Sequence, residues 1–162
     1  MRYGLLNIGL LVWAGCCGAA RAAITPEQVA QLPPPANHPV NFLKEIKPIF
    51  EVSCINYHGR GKDKGGFRLD TRETALKGGD SGPAVLPGSS AESLVMALVQ
   101  GVDPDNIMPR KGSRLTAEQI GLLRAWIDQG APWDPQVNLG RVEPANLKPR
   151  LPAIPPAPKA AN

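Results

Sequence analysis

Apolar residues recur along the middle of this 162-residue chain at helical rather than strand spacing. Phe42, Ile46, Ile49 and Phe50 fall on one face of a segment from Asn41 to Val52, which Asn41 is placed to cap. Pro48 removes one backbone donor and is expected to bend or end that helix before the turn at Cys54. A second set, Leu94, Val95, Leu98 and Val99, follows Ser89-Ser90-Ala91-Glu92, which reads as a capping box opening a helix to about Gln100. Met96 in that helix reads as packing or surface cover. The third set is Ile120, Leu123 and Ile127 with Leu122 and Trp126, entered through a Thr116/Gln119 capping box and stopped at Gly130. Shorter helices are predicted at Pro26 to Gln31, under Thr25 and Gln28, and at Thr71 to Lys77, before Gly78 and Gly79. No alternating run long enough for a strand separates these segments. The pattern predicts a small all-α unit with long loops.

Composition divides the chain around that unit. The 18 prolines cluster at Pro33 to Pro39 and from Pro132 onward. Residues 23–40 thus read as a proline-rich linker, 41–134 as the domain, and 135–162 as an extended, largely disordered tail. Residues 1–22 read as an export signal: Arg2, an apolar run from Gly4 to Gly18, and Ala20-Arg21-Ala22 as a small-x-small cleavage site. Export places the mature protein in the periplasm. Trp13-Ala14-Gly15-Cys16 also resembles a lipoprotein processing box, so a membrane-anchored form with lipid on Cys16 is the lesser alternative. Cleavage after Ala22 leaves Cys54 as the sole cysteine, which rules out a disulfide within the mature chain.

The formal charge of +4 invites a polyanion at first sight. Residues 41–134, however, hold twelve basic and twelve acidic side chains, and a neutral domain gives no support for nucleic-acid binding. Gly59, Gly61, Gly65 and Gly66 call for sharp turns or close approach, but neither a phosphate-loop order nor a preceding strand accompanies them. Gly-Asp-Ser-Gly at 79–82 matches the surroundings of a protease nucleophile without any second feature of that fold. His38 lies in the proline-rich loop and reads as an exposed histidine.

The chemistry concentrates at Ser53 to Gly59, SCINYHG. A c-type haem site uses Cys-x-x-Cys-His, with both thiols reaching the porphyrin vinyl edge and the imidazole turning under the iron. Cys54 and His58 occupy two of those places, and Tyr57 stands where the second thiol belongs. The motif alone leaves three readings open: a haem site with one covalent bond, one with none, or a scaffold without haem. Met108-Pro109, in the polar loop before the last helix, offers a thioether from the other end of the domain. A His and a Met on the two sides of haem iron form a low-spin electron-transfer centre, and the soft sulfur favours the ferrous state.

From Phe42 to Trp133 the chain resembles the planctomycete-type cytochrome c domain, a small bacterial c-type cytochrome module. The likeness rests on KGGFRLDTRETALKGGDSGPAVLPGSSAESL, on Met108-Pro109, and on LTAEQIGLLRAWIDQGAPW. It implies Cys54 as the first thioether cysteine, His58 as proximal ligand and Met108 as distal ligand. Tyr57 departs from the family pattern, so the resemblance implies haem c with a single thioether through Cys54, or haem bound without a covalent link. The expected function is that of an exported mono-haem electron-transfer protein with a redox protein partner in the periplasm or at its membrane. The alternative is a haem-free binding or tethering module that has lost its cofactor. An enzyme is not expected, since no second titratable cluster accompanies the iron site and catalysis would need an open coordination position.

Overall fold

The computed structural model describes residues 24–141. The expectations for the export signal at 1–22, for Cys16 and for the tail beyond 141 lie outside the described residues. Helices occur at α1 (Pro26–Ala30), α2 (Lys47–Ser53), α3 (Ile55–His58), α4 (Arg72–Lys77), α5 (Leu94–Gln100) and α6 (Ala117–Asp128). A π turn at Phe42–Ile46 leads into α2, and 3-10 turns lie at Lys64–Gly66 and Pro104–Asn106. Among the described residues there is no strand, only an isolated antiparallel bridge between Gly79 and Gly82. The architecture is all-helical, as expected, and no described helix is long and apolar enough to cross a membrane.

Capping chemistry fixes three helix starts where the sequence places them. Thr25 and Gln28 satisfy each other's backbone donors at α1, Thr71 and Thr74 do so at α4, and Thr116 and Gln119 at α6. Asn41 accepts the Lys44 N–H at 3.0 Å and starts the π turn. The disturbance expected at Pro48 is a one-residue widening: the Lys47 N–H reaches back to the Phe42 carbonyl, and Pro48 then sits in the first turn of α2. A missing N–H costs little there.

The helix expected to open at Ser89 begins at Leu94 instead. Its serines are used elsewhere: Ser90 donates to the Asp128 carboxylate through N–H (2.8 Å) and Oγ (2.9 Å), while Ser93 Oγ donates to the Ser89 carbonyl (2.8 Å). Ser93 Oγ also accepts the Leu86 N–H at 2.8 Å. With these ties α5 buries Met96 and Val99: of the set that spacing suggested, Val99 is buried and Val95 packs on the core, while Leu94 and Leu98 are half-buried. Met96, read as packing or cover, is completely buried.

The core is an aromatic cluster between the Phe42–Ser53 segment and α6. Phe42 stacks on Trp133 at 4.3 Å, and Phe50 meets Trp126 edge-on at 5.6 Å. Edge-on and offset rings gain about 0.5–1.5 kcal/mol beyond the area they bury.

Both flanks contribute to this body. In the proline-rich segment Leu32 and Val40 are buried, the Ala36 N–H donates to the Gly121 carbonyl at 3.1 Å, and Arg124 donates to the Pro33 carbonyl at 3.1 Å. Prolines leave their carbonyls free for such partners, so the segment read as a linker lies along α6. His38 is exposed, as expected, and pairs with Glu45 at 2.7 Å. The start of the expected tail also differs from an extended chain. Val137 packs on the core, Leu139 is buried, and Trp133 Nε1 donates to the Val137 carbonyl at 3.1 Å.

Candidate functional site

Cys54 ends α2 and is the entry to α3, a single turn that carries His58 as its last residue. The Cys54 carbonyl accepts the N–H groups of Tyr57 (3.0 Å) and His58 (3.1 Å), so thiol and imidazole stand on one turn, as their spacing implied. Ile55 is fully buried and anchors that turn. Cys54 packs against the core edge, and burial pushes its thiol up to about 12. At neutral pH the thiol is therefore held in its protonated form. Tyr57, the departure from the two-cysteine motif, is 40% exposed and does not fill the interior.

His58 is half-buried. Burial holds its pKa below the ordinary range, with the backbone at Phe67 and Lys64 pulling weakly the other way. The imidazole is therefore neutral near pH 7 and keeps a lone pair for a metal. Its Nδ1 is buried without a hydrogen-bond partner. The Phe67 ring meets the imidazole edge-on at 5.2 Å.

Phe67 is placed by two glycine pairs packed back to back. The Asp80 N–H donates to the Gly65 carbonyl at 2.8 Å, and a Cβ on Gly79 would collide with that carbonyl and lie 2.9 Å from the Phe67 nitrogen. Glycine at 79 is therefore a packing requirement, since its backbone has an ordinary conformation. Gly65 and Gly66 both have positive φ and make the turn that presents Phe67. The glycines that the sequence marked for sharp turns or close approach do both.

Met108 stands on a separate segment, anchored to α5. Its N–H donates to the Leu98 carbonyl at 2.9 Å, and its side chain is half-buried. The loop leading to it is organised: Asp103 accepts the Asp105 N–H (2.9 Å) and the Asn106 amide (2.7 Å) and so builds the 3-10 turn just before Ile107. Pro109 behind the thioether is buried. Cys54 and His58 thus share one turn, and Met108 is presented from a second, independently ordered segment.

One residue of this region carried no signal in the sequence reading. Asp70 is 5% exposed, accepts the Arg60 N–H at 2.9 Å and pairs with Arg68 through Nε and NH2, both at 2.6 Å. Its main-chain carbonyl accepts the Leu139 N–H at 2.7 Å. A charged residue four places after two glycines ordinarily reads as surface, and only the fold shows it buried.

The residues fit a haem ligand set in kind. A half-buried neutral imidazole with an orphaned nitrogen, next to an aromatic ring, suits an axial ligand. Among the described residues no group of three or more His, Cys, Asp or Glu side chains could hold a bare metal ion. The helical body thus carries a Cys-x-x-x-His turn and a separate Met-Pro segment. Residues 54–112 match the family described as planctomycete cytochrome C, and that span holds both His58 and Met108. No curated protein and no solved structure matches the chain.

Proposed function

We propose that this protein is an exported mono-haem electron carrier, with His58 and Met108 as axial ligands and at most one thioether, through Cys54. The observation that carries the reading is the half-buried neutral His58, with its partnerless Nδ1, inside the span that matches a cytochrome family. When bound, haem supplies a one-electron couple between ferric and ferrous iron. His58 would donate the imidazole nitrogen, Met108 the sulfur, and the α3 turn and the Asp103-capped loop hold those donors before the cofactor arrives. Pre-ordering lowers the entropic cost of closing the Met108 loop on the metal. In the covalent form, Cys54 would hold the haem through a single thioether. Its raised pKa keeps the Cys54 thiol in the protonated form, which is the less readily oxidised one. The domain acts as a carrier rather than an enzyme, serving a redox protein in the periplasm or at its membrane, with Cys16 as the lipid anchor in the alternative processing.

The absorbance of the mature protein, purified after expression with haem and a maturation system, tests this. A Soret band is expected, with a pyridine haemochrome band between those of b-type and two-thioether c-type haem. His58→Ala should abolish haem uptake, and Met108→Ala should retain haem but lose the sulfur signature and lower the potential. No Soret band from the parent, with covalent haem in Tyr57→Cys, would instead establish the haem-free module.

A further inference from the structure

We propose that Asp70 is a positioning residue for His58, the buried carboxylate that closes the loop leaving the imidazole and fixes how the ring is presented; this rests on the haem-carrier reading above. The chain leaves His58 through Gly59, where a Cβ would collide with the buried Ile55 side chain and lie 3.0 Å from Asp70 Oδ1. Arg60 follows at φ 53, a left-handed conformation that a non-glycine residue holds only when its surroundings impose it. Asp70 supplies that constraint: Oδ1 accepts the Arg60 N–H, and Oδ2 takes the Arg68 guanidinium. The adjacent Leu69 N–H donates to the His58 carbonyl. Residues 69 and 70 therefore grip the main chain on both sides of Gly59, one at His58 itself and the other at Arg60.

The same carboxylate controls the second contact of the imidazole. Phe67, edge-on to His58, immediately precedes Arg68, so the Arg68–Asp70 pair fixes the strand of chain that carries the ring. On the far side, the Leu139 N–H is bonded to the Asp70 carbonyl and the Gly140 backbone lies against Oδ1, where a side chain at 140 would collide. The segment after Trp133 is thus a strap over the back of the ligand loop. A buried carboxylate is tolerated only when its oxygens are satisfied, and one guanidinium and one backbone N–H do this here. Removing the carboxylate releases Arg60 and Arg68 together, and with them the two neighbours that orient His58.

The test compares Asp70→Ala with Asp128→Ala in the full chain. Asp128 is also a carboxylate that ties a loop, through Ser90, but it lies on α6 and touches nothing at His58. In the haem-free protein, amide exchange at Arg60 and Leu69 should accelerate selectively in Asp70→Ala while α6 amides stay protected. In the haem-loaded protein, haem should dissociate at least about tenfold faster and the potential should move, as when an outer-shell partner of a ligand is lost. Asp128→Ala, which frees a loop remote from His58, should do neither. Should Asp70→Ala fail to fold, Arg68→Gln, at an exposed position, removes the Oδ2 half of the contact alone: exchange at Leu69 and haem loss should accelerate while Arg60 stays held by Oδ1. Uniform exchange, or haem dissociation and potential equal to those of Asp128→Ala, overturns the proposal. A parent that takes up no haem defeats the carrier reading alone, and the exchange measurement still decides whether Asp70 fixes the His58 loop.

Discussion

Around α6 the chain is held by side chains. Phe42, Phe50, Trp126 and Trp133 interlock there, and nothing approaches α6 so closely that it needs a bare Cα except the Pro34 carbonyl at Gly121. From Gly59 to Gly82 the chain is held by backbone meeting backbone, with Gly79 against Gly65 and Gly78 against Gly82 and Pro83, and by one buried carboxylate. The first arrangement resists unfolding through buried area and dispersion, which tolerate small adjustments. The second sends Leu69 and Ala75 into the core but fixes its turns by close backbone approach, which a single added carbon disturbs. The candidate ligand His58 lies where the two meet, on a turn whose Ile55 belongs to the packed core and whose carbonyl is tied to Leu69. This division separates what keeps the domain folded from what aims the imidazole.

The sharpest way to break the comparison is to empty the aromatic side. Trp126→Ala should cost about 3–5 kcal/mol, a large share of the ~5–15 kcal/mol typical of a small domain; chemical denaturation would show an early or absent transition. Next comes Gly79→Ala. The new methyl meets the Gly65 carbonyl and the Phe67 nitrogen, so a loss of roughly 1–3 kcal/mol is expected, with haem uptake impaired more than Trp126-side substitutions of equal cost impair it. A Gly79→Ala protein of parental stability and haem affinity would show that the loop half yields as readily as the core.

Acidification gives a smaller and reversible probe. The folded protein holds His58 below its ordinary pKa, so the unfolded chain binds that proton first. Stability of the haem-free protein should be level above about pH 6.5 and decline as pH falls through the lowered value, and His58→Ala should remove that component of the slope. At alkaline pH the sign follows the opposite rule. With Cys54 raised from 9.0 to about 12, the stability it contributes is present below pH 9 and lost as the pH climbs towards 12. The smallest effect expected is that of Thr116→Ala, which removes the cap of α6 for about 1 kcal/mol. Because α6 serves the packed half, its thermal midpoint should fall without any change in the His58 environment, as seen by imidazole nuclear resonance.

The helix starts at Thr25 and Thr116 were legible in the chain because each cap finds its partner three residues away. The inward faces around Phe42 and Trp126 were equally plain, since period and burial agree there. At α5 they did not agree. Ser90 is tied to Asp128, 38 residues on, and Ser93 to Leu86 in the preceding loop, and with those bonds the helix buries Met96. The proline-rich flanks misled in the same way, because composition reports that a segment cannot be regular and not whether it is bound.

By itself the sequence determined the helical period, the caps, the Cys54–His58 turn and the separate Met108 segment, all set by neighbours within a few residues. Only the tertiary structure decided that Asp70 is buried behind that turn, that residues 137–140 strap over it, and that the glycine pairs lock together. Those outcomes depend on which backbone meets which across dozens of residues, and a residue's type does not encode the partner it will find.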